Sequence, residues 1–318
     1  MTGYRPFQFH IKQNLPPLSP TSPVTNLTRD HLDYHGDMES YFAAKKLLFT
    51  NLGPEAVAVY NHGDPYGPRI VQGTAARKRG YFLADGPEPE GVPADLLRAE
   101  LVKSDLDGQT FRIKGYGQER ELHTPLVGRH NVENCLGAFL AAVGLGVGEH
   151  TVAAALANFP GVPGRLERLE SASGIKAFVD YSHTDGALRS VLSVLRPLAK
   201  GRLITVFGCG GDRDTGKRPL MAKAAEEFSD LMVVTSDNPR TEDPDRIIDD
   251  IMPGFAMPEK VTREPDRPAA VALAIKMAGR GDTVLVAGKG HEDYQIVGTE
   301  KHHMDDRELV RNAFASHG

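Results

Sequence analysis

From about residue 175 onward, short wholly apolar runs alternate with segments whose apolar residues recur every three or four positions. The runs "IKAFVDYS", "RLITVFG", "LMVVTS" and "DTVLVAG" read as buried strands, and "GALRSVLSVLRPLA", "PLMAKAAEEF", "DRIIDDIM" and "RPAAVALAIKMA" read as amphipathic helices. Strands that alternate with helices pair in parallel, so this half is predicted to be an α/β domain with a doubly wound sheet. Such sheets bind ligands beyond the carboxyl ends of their strands.

The first half is less regular. A helical run is predicted from Met38 to Phe49, a strand in "EAVAVY", a turn at "NHGDPYG" and two strands about the Asp107-Gly108 turn. Helices follow at "HNVENCLGAFLAAVGLG" and "EHTVAAALANF". Residues 1–24, rich in proline and serine and without sustained period, read as an atypical leader or linker of little structure. The two Pro-Gly signals in "PGVPGRLERLE" mark the best domain boundary, giving domains at 25–163 and 164–318.

A chain of 318 residues is long enough for two cores, and its net charge of -5 offers no broad attraction to nucleic acid or an anionic membrane. Two cysteines outside any C-x-x-C pair argue against disulfide and zinc frameworks. Without an apolar run of membrane length or a signal-peptide pattern, the expected location is the cytoplasm.

Three polar loops follow apolar strands and are expected to meet at one rim: "GCGGDRDTGKR", "SDNPRTEDP" and "GKGHEDYQ". The first nearly fits a phosphate-binding loop through Gly211, Gly216 and Lys217, but Arg218 stands where a magnesium-binding hydroxyl belongs. Asp212 and Asp214 would also repel a triphosphate. The loop therefore reads as a substrate loop, in which Arg213 and Arg218 are candidates to clamp a carboxylate. His31 and His35 have the spacing of a zinc-protease helix, but Leu32 replaces its glutamate, which argues against that chemistry.

In order, "TNLTRDHLDYHGDMESYFAAK", "HNVENCLGAF", "PGRLERL", "FVDYSHTDGAL", "VFGCGGDRDTGKRPLM", "SDNPRTEDP" and "AGKGHEDYQ" resemble the successive motifs of the Mur ligases, specifically their diaminopimelate-adding branch. The resemblance implies a truncated Mur ligase central domain followed by a Rossmann-like C-terminal domain. It implies ATP-dependent addition of meso-diaminopimelate to UDP-MurNAc-L-Ala-D-Glu through an acyl phosphate, with ATP and magnesium as cofactors.

By position, Lys45 resembles the family's carbamylated, magnesium-binding lysine, and burial is expected to make it neutral enough to react. His31 matches the nearby metal-binding histidine. His183 is assigned with these two to catalysis, and Asn131, Asp180 and Arg165 to the nucleotide. "DNPR", Asp237, Asn238, Pro239 and Arg240, resembles the signature for meso-diaminopimelate, whose second carboxylate Arg240 is expected to read. Arg213, Gly288 and Glu292 match other residues of that pocket, with Glu292 suited to the distal ammonium. Nothing in residues 1–24 resembles the family's uridine-binding domain or its G-x-x-G-K-[ST] loop. Two readings follow: a ligase whose activity as an isolated chain is in question for want of that loop, or a non-catalytic diaminopimelate-binding fragment or partner-dependent module, for which a complementing N-terminal ligase half is the candidate partner.

Overall fold

The computed structural model describes residues 21–27, 35–84, 93 and 95–317, which group into two compact units. The first takes in described residues up to Lys103, together with 110–124 and 130–158. The second comprises 104–109, 125–129 and everything from Phe159 onward.

The first unit is built on a six-stranded sheet in sequential order: β1 (Thr21–Val24), β2 (Val57–Asn61), β3 (Arg77–Leu83), β4 (Leu97–Asp105), β5 (Gly108–Gly115) and β6 (Gln118–Thr124). β1 to β4 pair in parallel. The helices are α1 (Met38–Thr50), the short α2 (Gly67–Ile70), α3 (Arg129–Gly144) and α4 (Glu149–Ala157). Asp37 starts α1 by accepting from Ser40 N at 2.7 Å. Val132, Leu136, Phe139 and Leu140, at helical spacing on α3, bury against Val59, Leu97, Phe111 and Ile113 of the sheet.

β1 departs from the expected structureless leader. "TSPV" pairs along its length with Val57–Tyr60, and Pro23 is tolerated because the strand lies at the sheet edge. Residues 1–20 lie outside the described part.

The second unit has the predicted doubly wound design. Its strands are β7 (Glu167–Glu170), β8 (Lys176–Asp180), β9 (Leu203–Phe207), β10 (Leu231–Val234), β11 (Val261–Arg263) and β12 (Thr283–Ala287), in the sheet order β11-β10-β9-β12-β8-β7. All pairings are parallel except that of the edge strand β7.

Successive strand residues feed opposite cores, as a period of two requires. Phe178, Phe207, Val234 and Leu285 pack with α5 (Asp185–Leu195), α6 (Lys217–Phe228) and α7 (Pro244–Ile251). Val179, Val206, Val233 and Val286 pack with α8 (Arg267–Met277) and α9 (Asp306–His317). A hairpin of β13 (Tyr294–Val297) and β14 (Glu300–His303) follows β12. The carboxyl ends of β8, β9, β10 and β12 carry the loops that build the site.

Candidate functional site

A cavity of about 620 Å³ opens beyond these strand ends. Arg213, Lys217 and Arg240 border it together with Asp214, Asp237 and Glu292, so cations and carboxylates face one space. His183, Asn238 and Gly288 complete the predicted residues on its wall, and Tyr181, Tyr294 and Ile296 add apolar surface.

The β8 loop is braced from inside. Asp180 Oδ2 accepts from Leu166 N at 2.8 Å, and Oδ1 accepts from Ser182 N at 2.9 Å and from the Ser182 hydroxyl. Both oxygens are thus engaged in holding the loop. Tyr181 lies between His183 and His291, with ring centroids at 4.8 and 5.2 Å, and Arg165 stacks over it at 5.2 Å. Burial, with Glu292 and Tyr294 nearby, holds the Tyr181 hydroxyl above its ordinary pKa. His183 Nδ1 lies 2.9 Å from the Tyr181 carbonyl, which only accepts, so this contact places a proton on Nδ1.

The β9 and β10 loops are fastened to each other. A Cβ at Gly211 would lie 2.0 Å from the Pro239 carbonyl, so only glycine admits this approach. Asp212, at φ 53°, accepts from Thr241 Oγ1 at 2.8 Å, while its own amide donates to Glu242. Glu242 also receives Arg218 through two contacts of 2.9 Å.

That pairing overturns one expectation. Arg218 is 1 % exposed, is bound to Glu242 and Asp250, and does not border the cavity. Burial alone would lower its pKa, but the hydrogen bonds and charges of Asp250 and Glu242 raise it. Of the two arginines expected to clamp a carboxylate, Arg213 and not Arg218 faces the space.

The "DNPR" loop holds the most informative group. Asp237 is 8 % exposed, and its Oδ2 is buried with no hydrogen-bond donor among the described residues. A Cβ at Gly288 would stand 2.6 Å from that oxygen, so the glycine at φ 120° makes room for it. Asn238 donates from Nδ2 to Glu292 Oε2 at 3.1 Å, and Arg240, at φ 52°, donates from Nη1 to the Gly211 carbonyl at 2.8 Å. Pro239 does not border the cavity and acts through its carbonyl against Gly211.

Two of the remaining predicted residues, Asn131 and Lys45, belong to the first unit. Asn131 lies in the first turn of α3 and accepts from Asn134 Nδ2 at 3.4 Å. His31 lies outside the described residues. Lys45 is exposed on α1 rather than buried as expected, its ammonium 5.5 Å from the Tyr41 ring. No group of three His, Cys, Asp or Glu side chains suited to a metal occurs among the described residues.

Two contributors escaped sequence reasoning. The β13–β14 hairpin supplies Tyr294 and Ile296, and its only sequence signal was the Gly298-Thr299 turn after "YQIV". Beneath the floor, Arg267 donates to the carbonyls of Ser236 and Ala287 at 3.1 and 3.0 Å, each just before a site residue.

Comparison with known proteins identifies this architecture. Residues 21–142 match the Mur ligase middle domain and residues 164–290 the Mur ligase, glutamate ligase domain. The chain belongs to the Mur ligase family. Among curated Mur ligases it is 47 % identical over 291 residues to the UDP-N-acetylmuramoyl-L-alanyl-D-glutamate--2,6-diaminopimelate ligase of Nostoc sp., covering 91 % of this chain and 58 % of that protein. The ligase of the same name from Geobacter metallireducens is 45 % identical, with 91 % and 60 % covered.

A solved structure of a ligase so named superposes with a TM-score of 0.69 at 35 % identity, covering 92 % of this chain and 59 % of the other. MurF from Acinetobacter baumannii shares the fold, with a TM-score of 0.67 at 16 % identity over 93 % and 60 % of the two chains. The chain thus spans about 58–60 % of the length of these two curated Mur ligases. No helix among the described residues is long and apolar enough to cross a membrane.

Proposed function

We propose that the cavity of the second unit is the amino-acid site of a ligase that joins meso-diaminopimelate to UDP-MurNAc-L-Ala-D-Glu. The observation that carries the reading is the buried Asp237 Oδ2, without a hydrogen-bond donor among the described residues, in a cavity that also presents Arg213 and Arg240. A buried carboxylate oxygen without a donor is costly, and a ligand ammonium removes that cost. The two guanidiniums suit carboxylates, so the site matches a zwitterion with an additional carboxylate.

In this reading Asp237 and Glu292 receive the ammonium groups, and Arg240 and Arg213 orient the carboxylates. The acceptor amine is thereby held for attack on an activated glutamyl carbonyl, an advantage of orientation rather than of new bonds. The family resemblance brings ATP, magnesium and the acyl phosphate. The same resemblance assigns Asp180, Arg165 and Asn131 to the nucleotide and His183 to catalysis. Asp180 serves by bracing its loop, since both its oxygens are engaged. Bound magnesium would offset charge on the transferring phosphoryl group. His31 and a carbamylated Lys45 are the proposed ligands, but the exposed Lys45 and the lack of a metal-binding cluster among the described residues do not of themselves form that site.

The test of ligation is phosphate release from ATP in the presence of magnesium and bicarbonate. This chain would be assayed together with a separately produced N-terminal portion of a curated relative. Release that requires both the nucleotide dipeptide and meso-diaminopimelate is expected. Two folded halves that release no phosphate would contradict the ligase reading and favour a binding module.

A further inference from the structure

The side-chain amide of Asn238 is held from three directions, and one holder is a cation sealed from water. Oδ1 accepts from Ile296 N at 2.9 Å and from Lys289 Nζ at 3.1 Å, and Nδ2 donates to Glu292 Oε2 at 3.1 Å. With oxygen and nitrogen exchanged, the NH2 would face a backbone N–H and an ammonium, both donors. Lys289 and Ile296 therefore dictate which way the amide points.

Lys289 is 0 % exposed and stands behind the cavity wall. Its ammonium lies 3.7 Å from Glu292 Oε2, and its only hydrogen bond among the described residues is the one to Asn238. Burial, aided by Arg267, holds its pKa below the ordinary lysine value, against the upward pull of Asp237, Asp306 and Glu292. An ammonium kept in such a place carries a desolvation cost that an apolar side chain of similar length would not. Packing alone therefore does not account for a lysine here.

We propose that Lys289 is a positioning residue of the amino-acid site. From the buried side it fixes the Asn238 amide, which occupies Glu292 Oε2 and leaves Oε1 for the ligand, and it supplies the interior counter-charge for Asp237 and Glu292. The inference rests on reading the cavity as an amino-acid site. It gives the two carboxylates fixed directions before any ammonium arrives.

The test follows the Asn238 side-chain amide signals by nitrogen-15 NMR, assigned with Asn238→Ala, alongside calorimetric titration with meso-diaminopimelate. In Lys289→Met the Asn238 signals are expected to move toward those of a free amide while thermal unfolding stays cooperative. Affinity is expected to fall about 10–100-fold, the worth of one charged hydrogen bond. Lys289→Gln, whose amide can donate to Asn238 Oδ1, should return the signals toward those of the unaltered chain, and it carries the test if the methionine variant does not fold. Asn238 signals that stay put in Lys289→Met, or that become those of a free amide in a folded Lys289→Gln, would overturn the proposal whatever happens to affinity. An unaltered chain that binds no meso-diaminopimelate, yet shows the expected signal changes, would keep the positioning role and remove the amino-acid reading.

Discussion

Arg267→Ala is expected to cost about 3–5 kcal/mol of stability, the range found when one partner of a buried ion pair is removed. Arg267 is 1 % exposed and engages Asp306 through two bonds, Nε to Oδ1 at 2.7 Å and Nη2 to Oδ2 at 2.8 Å. Burial works against the guanidinium's charge, but Asp306 more than offsets it, so its pKa is raised. Its other hydrogen bonds reach the carbonyls of Ser236 and Ala287, tying the ends of β10 and β12 to the start of α9. Removal leaves Asp306 charged and buried, with two carbonyls deprived of a donor. Urea unfolding measures the effect. The double variant Arg267→Leu with Asp306→Leu should lose less than the two single losses combined, because no unpaired charge remains. A loss below about 1 kcal/mol in Arg267→Ala would contradict the assignment of this pair as the clamp beneath the site.

Arg240→Ala should erase preference for meso-diaminopimelate over L-lysine by about 1–3 kcal/mol, the value of a charged hydrogen bond. In the free site the guanidinium borders the cavity and donates to the Gly211 carbonyl at 2.8 Å and, more weakly, to the Asn238 carbonyl at 3.4 Å. Exchanging a neutral carbonyl for a carboxylate strengthens that contact, and a planar guanidinium can meet both carboxylate oxygens. Lysine has no second carboxylate, so its affinity should hardly change. Calorimetric titration of both amino acids against both forms of the chain measures the difference. An unchanged ratio would rule out the role given to Arg240.

The strands and helices of the second unit were legible because each strand is buried on both faces and each helix presents one stripe, the two periods that sequence displays directly. Helix starts were legible where a short polar side chain caps them, as Asp37, Thr184, Asp243 and Asp266 do. β1 was not legible, because Ser22 and Pro23 are turn residues by propensity and become strand only through their pairing with β2. Tertiary context overrode propensity there. The three site loops could be found as polar segments after apolar strands. Which of their charges face inward could not be read, since Arg213, Lys217 and Arg218 are near neighbours in sequence. Arg218 turns to Glu242 and Asp250 while the other two border the cavity. Arg267 carried no signal in the sequence, because its partner Asp306 lies far along the chain.

The central claim is that the β8, β9, β10 and β12 loops form a site for an amino acid carrying two carboxylates and two ammonium groups. Equilibrium titration of the chain with meso-diaminopimelate and, separately, with L-lysine tests it most directly, since binding is read without dependence on ATP. Saturable binding of meso-diaminopimelate, at least about tenfold tighter than that of L-lysine, is the predicted result for one charged contact that lysine cannot make. Equal affinity for the two, or no heat from either with a folded chain, would contradict it.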